Sequence, residues 1–124
     1  MTRMSIEEFR KLQLQPGRGP ALDKPNKYRN AITMADGIRF DSKAEARRYR
    51  ELKLLQHTES ISGFGLQPSF IIGPEIRYRP DFIVCDKHGK VWVEDVKGKE
   101  TQAFVMKAKM FRDKYPWLEL RIIK

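Results

Sequence analysis

The chain has 124 residues, of which 40% are hydrophobic and 33% charged, and a formal net charge of +9. This length and composition indicate a folded domain and exclude a disordered protein. The sequence has no apolar run of membrane-spanning length and no signal-peptide core, so we expect a cytoplasmic protein with no membrane partner. The excess of basic residues favours a polyanionic partner such as nucleic acid, although a solvated basic surface is the plain alternative.

Residues 1–26 are predicted to form a basic N-terminal arm that contains a short helix capped by Ser5. The segment after this helix is rich in proline, glycine and basic residues, which is typical of an extended chain. Lys27 and Arg29 follow the arm and are candidate contacts to a phosphate backbone. A simple linker explains the same composition.

Residues 27–124 are predicted to form a single α/β domain that begins with a hairpin. Asp36-Gly37 lies between apolar residues and is a strong hairpin-turn signal. Ser42 and Glu45 form a capping box, so we expect a helix to begin at Lys43.

The rest of the domain alternates strand patterns with one further helix. We expect strands near residues 66–72, 75–84 and 90–98, with a turn at Gly89 between the last two. Thr101 is predicted to cap a second helix, which Pro116 ends, and a final strand follows. The order of elements is a hairpin followed by α-β-β-β-α-β, with a mixed central sheet flanked by helices.

Three charged residues are predicted to meet at one end of this sheet. Side chains alternate along a strand, so Asp95 and Lys97 share one face while Glu94 lies on the other, as a solvent or salt-bridge residue. Hairpin pairing brings Asp81, at the start of the preceding strand, to the same end.

Two close carboxylates repel each other unless a cation compensates them. Mg²⁺ is well suited, since it accepts one or two carboxylates, keeps several waters and binds phosphate oxygens. Lys97 would add positive charge where phosphodiester hydrolysis builds up negative charge. The alternative is a salt bridge of Lys97 with either aspartate and no metal.

Pro80-Asp81 followed by Asp95-Val96-Lys97 on adjacent strands resembles the signature of the PD-(D/E)xK nuclease superfamily. The predicted element order is similar to the restriction-endonuclease-like core of that superfamily. The segments "DGIRFDSKAEARRY", "PDFIV" and "VEDVKG" resemble small phage-encoded members, some of which are related to archaeal-type Holliday-junction resolvases.

The resemblance implies a role for each residue of the signature. Asp81, Asp95 and the carbonyl of Val96 would bind Mg²⁺, for which Mn²⁺ can substitute, and Lys97 would be the catalytic lysine. Glu45 matches an additional acid found in many members, although its role in the helix cap is sufficient to explain it. Further candidate DNA-binding residues are basic: Arg47, Arg48, Lys99, Lys107 and Lys109.

The function that the resemblance implies is a Mg²⁺-dependent endodeoxyribonuclease that cuts branched DNA symmetrically, as a Holliday-junction resolvase does. Such an enzyme needs two sites and hence a homodimer, for which Ile71, Ile72, Trp117 and Leu118 are interface candidates or core residues. The alternatives are a nicking or end-processing nuclease that acts on linear or damaged DNA, and a non-catalytic DNA-binding module.

Overall fold

A computed structural model describes residues 31–124, and the chain divides into two compact units, Met1–Arg50 and Glu51–Lys124. The predicted N-terminal arm, together with Lys27 and Arg29, lies outside the described residues. The described elements in chain order are β1 (Thr33–Ala35), β2 (Ile38–Phe40), α1 (Lys43–His57), β3 (Ile61–Leu66), β4 (Phe70–Gly73), β5 (Ile76–Tyr78), β6 (Phe82–Asp86), β7 (Val91–Val96), α2 (Gln102–Lys114) and β8 (Glu119–Ile123).

The first unit contains the predicted hairpin, in which β1 pairs antiparallel with β2. Its turn has Asp36 at φ 52° and Gly37 at φ 76°, the left-handed conformation that an Asp-Gly turn favours. The Tyr49 hydroxyl donates a hydrogen bond to Asp36 Oδ2 at 3.0 Å, and its ring packs against Phe40. The turn is therefore held by the first turns of α1.

Helix α1 begins at Lys43, as the capping box predicts. The Ser42 hydroxyl accepts a hydrogen bond from the Glu45 amide at 3.1 Å, which confirms Ser42 as the N-cap. Ala46 and Leu52 are fully buried, at the helical spacing that the sequence indicates.

The second unit is built on a four-stranded sheet with the order β3-β6-β7-β8. β6 pairs antiparallel with β3 on one side and with β7 on the other, whereas β7 and β8 are parallel and joined through α2. The sheet is therefore mixed, as predicted. A separate hairpin, β4-β5, lies between β3 and β6 in the chain.

The predicted strand boundaries near residues 66–72 and 75–84 are wrong. β3 ends at Leu66 and β4 begins at Phe70, while the second predicted strand is divided into β5 and β6. Gln67 has φ 47°, a conformation that interrupts a strand. The glycines of β3 do not prevent pairing, because the ladder to β6 includes both Gly63 and Gly65.

Helix α2 covers one face of this sheet with its apolar stripe. Phe104, Ala108 and Phe111 are buried in one cluster with Val93 of β7 and Leu120 of β8. The Thr101 hydroxyl accepts a hydrogen bond from the Phe104 amide at 3.2 Å, which confirms the predicted N-cap. Burial of this stripe therefore holds α2 beside β7, the strand that contains Asp95.

The interface candidates divide by burial. Ile72 and Leu118 are buried in the core, which is the second of the two alternatives given for them, whereas 52% of Ile71 and 75% of Trp117 are exposed. Between residues 31 and 124, neither helix is long and apolar enough to cross a bilayer.

Candidate functional site

The β6-β7 hairpin positions two of the candidate acids. Asp86 Oδ1 accepts hydrogen bonds from the amides of His88 and Lys90, at 2.8 and 2.9 Å, and Gly89 takes φ 86° in the turn. The turn sets a register in which Phe82 faces Glu94. Extended by one residue, this register places Asp81 across from Asp95.

Asp81 is anchored at the end of β6 through two contacts. Its Oδ2 accepts a hydrogen bond from the Val96 amide at 2.7 Å, and its backbone carbonyl accepts one from the Gln67 amide at 2.9 Å. A residue in an antiparallel ladder presents its N–H and C=O on the same side. The Val96 carbonyl therefore lies on the side of β7 that faces Asp81.

Asp95 is buried, with 3% of its surface exposed. The Tyr78 hydroxyl donates a hydrogen bond to Asp95 Oδ2, and Lys97 Nζ lies 3.9 Å from Oδ1. A buried carboxylate is costly unless it is hydrogen-bonded and paired. These two contacts supply that compensation.

Tyr78 is hydrogen-bonded to Asp95, and the charges of Asp95 and Asp81 both act on its hydroxyl. Burial raises the pKa of Tyr78 well above its usual value, and the hydrogen bond to Asp95 and the charges of Asp95 and Asp81 raise it further. The hydroxyl therefore keeps its proton and remains a donor to Asp95.

Lys97 lies at the end of β7 and is partly exposed, at 37% of its side chain. Its Nζ is 5.1 Å from the centre of the Phe104 ring, and its amide donates to the carbonyl of Ile123 at 2.9 Å. An ammonium over an aromatic face is stabilised by the ring quadrupole. Lys97 is therefore held beside Asp95 from two sides.

A cavity of about 570 Å³ opens beside Asp95 and Lys97. Its walls also include Arg77 and Arg79 from the β5 region and Lys107 from α2. Asp81 does not line it. Sequence reasoning missed Tyr78, Arg77 and Arg79, although "RYRPD" places them directly before Asp81.

The sequence predicts that Glu94 is a solvent or salt-bridge residue, and the predicted exposure to solvent is wrong. Glu94 is fully buried, and the Trp92 indole N–H donates to its Oε2 at 2.9 Å. Strand alternation correctly separates it from Asp95, but the face on which it lies is also buried, together with Phe82 and Val84.

The remaining candidates fall in different parts of the chain. Glu45, Arg47 and Arg48 lie on α1 in the first unit, where Arg47 is exposed and the Glu45 amide takes part in the cap. Lys99 and Lys109 are exposed in the second unit and are not part of the cavity wall. Metal binding by Glu45 and DNA binding by these residues stay predictions.

The oxygen donors at this site suit a hard cation. Among the described residues, no group of three or more His, Cys, Asp or Glu side chains is arranged to hold a metal ion. Mg²⁺ does not require such a group, because it binds through one or two carboxylates and keeps waters. Asp81, Asp95 and the Val96 carbonyl supply oxygen donors of the kind that Mg²⁺ prefers.

The comparisons with known proteins identify the family of the chain. A family model described as a protein of unknown function, DUF1064, matches residues 25–124, and the chain belongs to this family. No curated protein and no solved structure matches the chain.

Proposed function

We propose that this DUF1064 protein is a Mg²⁺-dependent endodeoxyribonuclease with a restriction-endonuclease-like core. The observation that carries the proposal is the environment of Asp95, a buried carboxylate beside Lys97 in the wall of a cavity that cations also line. Asp81 accepts a hydrogen bond from the amide of Val96, the residue that follows Asp95 on β7. Apart from the β4-β5 hairpin, the elements from α1 to β8 have the chain order α-β-β-β-α-β, which is the order expected for that core.

In this proposal, Asp81, Asp95 and the Val96 carbonyl hold the metal ion. A bound Mg²⁺ supplies Lewis acidity toward a phosphate oxygen and lowers the pKa of a bound water. Lys97 adds a fixed positive charge next to Asp95, where it can orient a water or a phosphate oxygen. The hydrogen bond from Tyr78 holds Asp95 Oδ2, which leaves Oδ1 on the side of Lys97.

The proposed substrate is branched DNA, cut on two strands in the manner of a Holliday-junction resolvase. This part of the proposal rests on the resemblance of the signature and on the net charge of +9. Residues 31–124 contain one such site, so paired cuts would require a homodimer. The exposed side chains of Ile71 and Trp117 are available for an interface.

The test compares a labelled four-way junction with a linear duplex of the same sequence, each with Mg²⁺ or EDTA. We expect Mg²⁺-dependent, symmetric cuts in the junction by the wild type and none by Asp95→Asn, which keeps the shape of the side chain and removes its charge. In the same assay, Lys97→Ala should retain DNA binding and cut about 10²–10³-fold more slowly, as expected when a group that stabilises transition-state charge is lost.

Asp113→Asn is the matched control, because Asp113 is an exposed aspartate on α2 outside the cavity wall. It should cut like the wild type. If the wild type cuts both the junction and the linear duplex, the result would contradict junction resolution and support the broader nicking or end-processing activity. Binding without any cut, or full activity of Asp95→Asn, would contradict a nuclease centred on Asp95.

One observation favours a second candidate, a non-catalytic DNA-binding module. Tyr78 and Lys97 already compensate the charge of Asp95, so the fold does not need a metal ion to keep this carboxylate buried. This candidate predicts salt-sensitive DNA binding that is the same in Mg²⁺ and in EDTA, with no product in either.

A further inference from the structure

The cavity beside Asp95 is lined by more cationic than anionic side chains. Among the nine described residues that line it, four are cationic, Arg77, Arg79, Lys97 and Lys107, and Asp95 is the one acid, which leaves a formal charge of +3 for this set. Like charges in one cavity repel each other and raise the free energy of the folded state. Such a cluster is therefore suited to an anionic ligand.

Three of these cations, unlike Lys97, have no acidic partner among the described residues. Arg77, Arg79 and Lys107 are exposed, and within residues 31–124 no carboxylate forms an ion pair with them. Elsewhere in the second unit, Lys90 is paired with Glu119 at 3.1 Å and Lys124 with Glu100 at 2.9 Å. The cavity cations are thus available to an external anion.

The arrangement of the three cations matches a chain of phosphates better than a single small ion. Arg77 and Arg79 flank the buried Tyr78 on one wall, while Lys107 projects from α2, another element of the same cavity wall. The planar guanidinium fork binds phosphate oxygens in pairs, and an ammonium acts as a point charge.

We propose that this cavity binds the DNA backbone on one side of the cut, with Arg77, Arg79 and Lys107 contacting phosphates that flank the scissile one. The flanking position rests on the proposed nuclease function, whereas binding of the backbone itself does not. The cavity then sets the path of the strand between the β5 region and α2. None of these contacts reads a base, so the affinity that they supply is independent of sequence.

The test measures equilibrium binding to a fluorescent DNA duplex and to a fluorescent four-way junction in EDTA. The dissociation constant of each complex is measured at several salt concentrations. Arg77→Gln, Arg79→Gln and Lys107→Gln should each weaken binding to both DNAs. Each lost phosphate contact should also reduce the slope of log affinity against log salt by roughly 0.9 for duplex.

Two exposed lysines outside the cavity wall serve as matched controls: Lys114, on the same helix as Lys107, and Lys87, in the turn at the other end of the β6-β7 hairpin. Their glutamine variants should keep the wild-type slope. Thermal melting of each variant reports whether it is folded. Folded cavity variants with the wild-type affinity and slope would overturn the proposal, as would equal losses in the control variants.

The same variants separate this proposal from the nuclease activity. If the cavity variants lose phosphate contacts in EDTA and the wild type makes no cut in Mg²⁺, the DNA-binding proposal is supported and the nuclease proposal is contradicted. If the wild type cuts in Mg²⁺ and the cavity variants bind and cut DNA as well as the wild type does, the nuclease proposal is supported and the cavity proposal is contradicted.

Discussion

At the scale of single residues, the central feature is a charge kept inside the protein. Asp95 is 3% exposed, and Tyr78, itself 4% exposed, donates a hydrogen bond to it. Burial and the neighbouring carboxylates raise the pKa of Tyr78 further above neutral pH, so its hydroxyl remains a hydrogen-bond donor to Asp95. In the proposed site, Tyr78 is therefore a positioning residue that acts through Asp95.

Tyr78→Phe should weaken metal binding more than it changes the chemistry at saturation. Loss of a hydrogen bond that orients a metal ligand costs about 10–100-fold in affinity or activity. We expect the Mg²⁺ concentration for half-maximal cleavage to rise by about this factor, with a smaller change in rate at saturating Mg²⁺. A Mg²⁺ titration of the cleavage rate measures both.

Tyr115→Phe is a control of the same chemistry, because the Tyr115 hydroxyl donates to the carbonyl of Ile71 at 2.9 Å, outside the candidate site. It should leave the Mg²⁺ requirement unchanged. An unchanged requirement in Tyr78→Phe as well would remove the positioning role.

At the scale of elements, local chemistry at the ends of α2 and of the β6-β7 hairpin decides where the site residues lie. The turn at Gly89 sets the hairpin register, and the register brings Asp81 to Asp95. The Thr101 cap begins the helix whose buried Phe104 lies under Lys97. Residues from both elements line the cavity, among them Asp95 of β7 and Lys107 of α2.

Thr101→Ala removes one side-chain acceptor from the amino end of α2. We expect the free energy of unfolding to fall by about 1 kcal/mol, the usual cost of losing an N-cap. Chemical denaturation measures this change. Thr101→Ser keeps the hydroxyl and should recover most of the lost stability; equal losses in the two variants would show that the methyl group, and not the cap, is responsible.

At the scale of the whole molecule, the proposed activity depends on two copies of the chain. A single active site cuts one strand, whereas resolution of a junction needs two cuts related by a two-fold axis. The exposed apolar side chains of Ile71 and Trp117 offer an interface, although the arrangement of two copies is part of the proposal.

A mixed dimer tests the two-site requirement directly. Wild-type and Asp95→Asn chains with different tags are co-expressed, and the species with both tags is purified and given a plasmid that extrudes a cruciform. We expect nicked plasmid from the mixed species and linear plasmid from the wild type, because one site in the mixed dimer is inactive. Linear product from the mixed species, or failure to recover any mixed species, would exclude the dimer as proposed.

The structural features that the sequence predicted correctly are mainly local. The start of α1 at Lys43, the Thr101 cap and the turn at Gly89 each follow from side chains within a few residues of the feature. Alternation along β7 likewise predicted that Asp95 and Lys97 share a face, because side chains in a strand point to opposite sides in turn. The pairing of β6 with β7 followed from the short turn between them.

What the sequence by itself determined was the identity and order of these local elements, and the end of the sheet at which the charged residues gather. Only the tertiary structure decided that Glu94 is buried, that β4 and β5 form a separate hairpin, and that Arg77, Arg79 and Lys107 share one cavity with Asp95. The physical reason is that periodicity assigns a side chain to a face, whereas its burial depends on what packs against that face. That packing joins elements distant in the chain, and no local pattern specifies it.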